Sequence, residues 1–132
     1  MGMLARLFGS ERERVLDDDR TLTRYRHVLG TAPIESLEQA HSEAFRELHE
    51  PHRAALYAEL SRGAGTGERP LSSEPATLAR SATRAERRVP GTLERALRDA
   101  DDNGGFDGGL VSPVVQHVTS SPLVSAFLPW NG

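Results

Sequence analysis

Cysteine and lysine are both missing from this chain of 132 residues; all 16 of its basic side chains are arginine. Without thiols there is no disulfide, no thiolate zinc site, no iron–sulfur cluster and no cysteine nucleophile. Without lysine there is no Schiff-base amine and no lysine for a phosphate-binding loop. Aromatic residues are scarce, at one Trp, two Tyr and four Phe. Leu, Ile, Val and Phe together supply 29 residues, just above the share of about one fifth below which disorder becomes the default. The core must therefore be small and made mainly of Leu, Val and Ala. Such a core predicts marginal stability, or help from a partner or a second copy. Long apolar runs are lacking too. None approaches the roughly 18 residues of a membrane-spanning helix, and residues 1–8 meet charge too soon for a secretory signal. These absences predict a soluble, cytoplasmic, single domain. The net charge of −3 gives no global attraction to nucleic acid.

What is present is helical punctuation. Ser10 is placed as an N-cap ahead of Glu11 and Glu13, which predicts a first helix over residues 11–29 with Gly30 as a left-handed terminator. Val15, Leu22 and Leu29 share its apolar face with Tyr25. Pro33 opens a second helix, whose stripe of Ile34, Leu37, His41, Ala44, Phe45 and Leu48 keeps spacings of three and four. Pro51 restarts the chain into a third helix with Ala55, Leu56 and Leu60, closed by Gly63. Residues 63–74 (GAGTGERPLSSE) read as a flexible loop. A fourth helix starts near Pro75 and shows Leu78, Ala82, Ala85 and Val89 along its apolar edge. Pro90-Gly91 breaks it, and Thr92 caps a short fifth helix with Leu93, Ala96 and Leu97. Residues 101–109 (DDNGGFDGG) read as irregular. Beyond them, residues 110–130 are apolar, uncharged and interrupted by Pro113, Pro122 and Pro129, which forbid a long helix and leave short turns or extended pieces.

Several stretches resemble a group of small, uncharacterised actinobacterial helical proteins. They are residues 40–45 (AHSEAF) with Leu48, Arg53, Glu59 and Leu60, residues 82–88 (ATRAERR) continuing to residues 90–95 (PGTLER), the opening residues 4–8, and residues 19–25 (DRTLTRY). The resemblance covers about the first 95 residues. It implies a helical fold. Members of that group sometimes carry the label "cation-transporting ATPase", which the residues here do not support: there is no aspartyl-phosphate motif, no phosphate loop and no membrane span. The chain departs from the group at residues 48–51 (LHEP), where Leu-Thr-Pro-Glu is usual, and in its tail, which is rich in Pro and Val.

The sharpest ligand-like pattern is residues 99–110 (DADDNGGFDGGL). Against a helix–loop–helix calcium loop, Asp99, Asp101, Asn103 and Asp107 fall at ligand positions one, three, five and nine, and Gly104 at the turn. The twelfth position, which needs a bidentate Glu, is Leu110. An acidic, solvated linker is the plainer reading. His49 and His52 flank Glu50 at a helix start and read as surface cap residues rather than metal ligands; His41 reads as a packed histidine. Arg80, Arg84, Arg87, Arg88, Arg95 and Arg98 outnumber Glu86 and Glu94 on residues 76–98, as a nucleic-acid face would. However, no stacking aromatics accompany them and the whole chain is acidic, so nucleic acid is not the favoured partner. No serine lies in a nucleophile-elbow context, so the residues point away from an enzyme.

These observations predict an all-α chain of four to five short helices in a small bundle, with an irregular Gly/Pro-rich tail. Its segments are a helical domain at 1–98, an acidic linker at 99–109 and an apolar tail at 110–132. The tail is the leading candidate for partner contact, through Leu123, Val124, Phe127, Leu128 and Trp130. It either folds back to complete the core or docks onto a protein partner or a second copy. The function this predicts is a non-catalytic protein-interaction module without a cofactor: an adaptor, assembly factor or small subunit. Calcium binding at 99–110 and nucleic-acid binding by the arginine helix are the alternatives.

Overall fold

The chain is all-α. The computed structural model describes residues 19–63, 69–104 and 109–128, and contains no strand among them. Helix α1 covers residues 19–31. It is followed by α2 (Ile34–Arg46), α3 (Glu50–Gly63), α4 (Pro75–Arg88), α5 (Thr92–Gly104), α6 (Val111–Ser120) and α7 (Pro122–Ser125). The expectations for residues 4–8, Ser10, Glu11, Glu13 and Val15 concern residues outside the described ones, as do those for Asp107 and Trp130.

Helix α2 is the hub. It packs most extensively on α4, and also on α6 and α7, while α3 lies chiefly against α5. Its apolar stripe explains this role. Leu37, Ala40, His41, Ala44 and Phe45 are all buried, following the three-and-four spacing that puts them on one side of the helix. Opposite them, α4 buries Leu78, Ala79 and Ala82. The small side chains of Ala40, Ala79 and Ala82 let the two helices approach closely, since interaxial distance is set by the residues at the contact.

Four sequence expectations are corrected. Gly30 does not end α1: the helix continues through it to residue 31, and only Gly91 and Gly109 have positive φ among the described residues. The stop comes from Pro33, which disfavours helix at the residue before it, with Ala32 N donating to Val28 O at 2.9 Å. Val89 leaves the apolar edge of α4, being 54% exposed; the buried edge is rotated to include Thr83 and Glu86. Helix α5 runs on through Asp99, Asp101 and Asn103 to Gly104, so the first half of the acidic segment is regular structure.

The largest correction is the tail. It is not irregular; it supplies the two extra helices that bring the described residues to seven. Pro113 is the third residue of α6 and Pro122 the first of α7. The first turn of a helix has no acceptor for its N–H groups, so prolines there start helices rather than break them. Leu110, Val114, Val115, Val118 and Val124 are buried in the same core as Phe45 and Leu97.

Candidate functional site

The most unusual chemistry in the core is a polar line joining three helices. Tyr25 of α1, His41 of α2 and Thr83 of α4 are each fully buried. His41 Nδ1 lies 2.8 Å from Leu37 O, and Tyr25 Oη lies 2.9 Å from His41 Nε2. A carbonyl can only accept, so Nδ1 carries the proton and Nε2 accepts from the tyrosine hydroxyl. Burial pushes His41 down to about 4, against the opposing effect of its hydrogen bond to Leu37 O. Tyr25 is raised well above its ordinary value, first by burial and then by the negative charges of Glu86 and Glu94. Both groups are therefore neutral near pH 7. Thr83 Oγ1 sits 3.4 Å from Nδ1, the nitrogen that already holds a proton and so cannot take one from the hydroxyl. This histidine thus cannot act as base toward Thr83. The line fixes the register of α1, α2 and α4, with the His41 ring edge-on to Tyr25 and tilted against Phe45.

The sequence expected a packed His41 but not its partner. Tyr25 lies 16 residues away, beyond any helical period. Glu38, three residues before His41 on the same helix, is turned toward Arg84 at 3.5 Å.

Carboxylates hold the helix starts from a distance. Glu86, nearly buried, accepts from Gly91 N at 2.9 Å and from Leu93 N at 3.0 Å, capping α5. Thr92, the expected cap, instead donates through Oγ1 to Val89 O. Asp101 does the same for α6, accepting from Leu110 N and, at 3.2 Å, from Val111 N. Gly109 lets it come close: its φ is +70°, and a Cβ there would lie 3.0 Å from the Asp101 carboxylate. Arg87 closes the other end of α1 by donating to Leu29 O at 2.9 Å and to Ala32 O. Anions at helix starts and cations at helix ends both oppose the helix dipole favourably. Replacing Glu86 with alanine is expected to lower stability by about 2–4 kcal/mol, because two amides lose their acceptor and the Leu93 amide is buried. The urea midpoint should fall with an unchanged slope.

These contacts also locate the calcium-loop residues. Asp99, Asp101 and Asn103 lie on the last turns of α5 rather than in a loop. Asp101 is committed to α6, and Asn103 Nδ2 donates to Glu59 Oε1 at 2.7 Å. Among the described residues, no three His, Asp or Glu side chains are grouped to hold a metal ion. The rings of His49 and His52 face each other edge-on at the start of α3, 5.7 Å apart.

The tail residues separate. Val124 is fully buried, Leu123 and Leu128 are half-buried against the core, and Phe127 is 38% exposed. The arginine face also divides. Arg87 serves α1, Arg84 approaches Glu38, and Arg98 shares Glu94 with Arg26. These two arginines, Arg26 first, hold the Glu94 carboxyl below its usual range.

Two surface cavities adjoin α4. One, of about 400 Å³, lies among α3, α4 and α5; Leu60, Ala85, Val89 and Ala96 give it apolar walls, while Glu59, Arg62, Arg88, Arg95 and Asp99 supply charge of both signs. The other, of about 650 Å³, is lined by Arg69, Arg80, Arg84 and Arg88 with Pro70, Leu71, Ala76, Thr77 and Ser81. Spacing along one helix gave no warning of either, because each depends on residues from other segments. No helix among the described residues is long and apolar enough to cross a membrane. No protein-family model matches the chain, and no curated protein or solved structure is significantly similar to it.

Proposed function

We propose that this chain is a non-catalytic protein-interaction module that docks its partner in the groove among α3, α4 and α5. The supporting observation is Val89. A β-branched aliphatic side chain, 54% exposed, stands beside a groove that combines apolar walls with charges of both signs, and docking surfaces combine an apolar centre with a polar rim. The tail has less to offer, because Val124 is buried and Leu123 and Leu128 already pack on the core. Phe127 is its one large apolar side chain exposed among the described residues.

Affinity purification with the wild-type chain, Val89→Glu and Phe127→Glu separates the two surfaces. Val89→Glu should release the partners the wild type retains, with at least a tenfold loss of recovery, while Phe127→Glu retains them. The reverse pattern would move docking to the tail. Equal recovery with both variants would sink the interaction reading at either surface.

A further inference from the structure

The second cavity beside α4 has a composition that calls for a ligand. Four arginines and no carboxylate line it. Setting these four aside, the chain has 12 arginines against 19 acids, so the concentration of positive charge is local and runs against the chain as a whole. Arg80, Arg84 and Arg88 follow one another at four-residue spacing along α4. Like charges at that spacing repel one another and weaken a helix. Glu38 lies 3.5 Å from Arg84, at the middle of the row. Thr77 and Ser81 add hydroxyls on the same wall. The first turn of α4 contributes Ala76 and Thr77 there, and the carboxylate of its N-cap, Glu74, is not part of the cavity lining.

We infer that this cavity binds a linear polyphosphate group, free or carried on a nucleoside. Guanidinium groups recognise phosphate oxygens in paired hydrogen bonds that ammonium groups cannot reproduce. Successive arginines of the row rise about 6 Å along the helix, so its ends stand about 12 Å apart. One phosphate serves neighbouring arginines; a chain of them runs along the whole row, with Arg69 closing over it from the preceding segment. Leu71, 93% exposed at the mouth beside Pro70, offers an apolar lip against which a nucleoside ring would lie. The inference does not depend on the docking groove, and its test avoids Arg88, which both cavities share.

Isothermal titration of the full chain with sodium tripolyphosphate, at constant ionic strength, tests it. The wild type should show saturable binding. An Arg69→Ala/Arg80→Ala double variant, both side chains exposed, should bind at least tenfold more weakly. An Arg20→Ala/Arg46→Ala double variant, which removes the same two charges from exposed positions on α1 and α2, should bind as the wild type does. Binding that is absent in the wild type, or equal in the double variant, overturns the proposal. Adenosine triphosphate, titrated in parallel, identifies the source. Tighter binding than tripolyphosphate that is lost in Leu71→Ser supports a nucleoside-borne group, and equal binding supports the free polyanion. A single-stranded RNA that outcompetes both, with a salt dependence exceeding four phosphate contacts, overturns it in favour of a nucleic-acid face.

Discussion

Deleting residues 110–132 is expected to unfold the whole protein. This deletion removes Leu110, Val114, Val115, Val118 and Val124, all buried. At about 1.5–3 kcal/mol for each large aliphatic side chain, their combined burial is on the order of 10 kcal/mol. That is comparable to the roughly 5–15 kcal/mol that separates folded from unfolded states in ordinary domains. The truncation also strips α2 of the α6 and α7 contacts on one side and leaves Asp101 without the amides it caps. Circular dichroism should show weak helicity and no cooperative melt. A cooperative transition with most of the ellipticity retained would show that α1–α5 are self-sufficient and the tail an appendage.

Acid should destabilise the protein before most carboxylates titrate, through His41. An unfolded histidine takes its proton near pH 6.5, whereas the folded one refuses it until about pH 4. Between these values the unfolded chain binds more protons, so stability falls as pH falls. The contribution is fully present above about pH 6.5 and is lost progressively toward pH 4, amounting to about 3 kcal/mol over the window. Urea unfolding at pH 7, 5.5 and 4.5 measures it. His41→Gln keeps a polar side chain that can accept from Tyr25 but does not titrate, so its profile should be flatter over this range. Parallel profiles for the two proteins would show that His41 is not the source. At neutral pH the substitution should itself cost stability, because a planar ring packed between Tyr25 and Phe45 is lost.

Much of the helical architecture was legible because it is periodic. The α2 stripe from Leu37 to Phe45 could be read residue by residue, and the structure buries it. Proline was legible only in part. Pro33, Pro51 and Pro75 read correctly as helix starts, yet Pro113 and Pro122 read as breakers. The difference lies in what surrounds them. A proline followed by a long amphipathic stripe announces a helix, whereas the polar face of α6, made of Ser112, Gln116 and Ser120, is short and carries no charge to mark the period. Gly30 failed as a terminator for a related reason: glycine permits a left-handed turn without requiring one, and Pro33 imposed the stop.

The candidate sites were less legible than the helices. The calcium-like spacing of Asp99, Asp101 and Asn103 counts positions along the chain, but α5 extends through them and gives Asp101 to the start of α6. The arginines of α4 could be counted in the sequence; their sorting could not. Arg87 goes to the end of α1, whereas Arg80, Arg84 and Arg88 share a cavity with Arg69. Arg87 and Arg88 are adjacent in the chain, and only the position of the neighbouring segments decides between these roles.

The sequence by itself determined the helical class, the small Leu, Val and Ala core, the α2 stripe and the exclusion of thiol and lysine chemistry. Those follow from composition and local periodicity. Tertiary structure decided that the tail is core, that Tyr25 meets His41, that Glu86 and Asp101 cap helices they do not belong to, and that four arginines converge. Each depends on side chains distant in sequence meeting in space, and burial of apolar surface, which carries no directional code, brings them together.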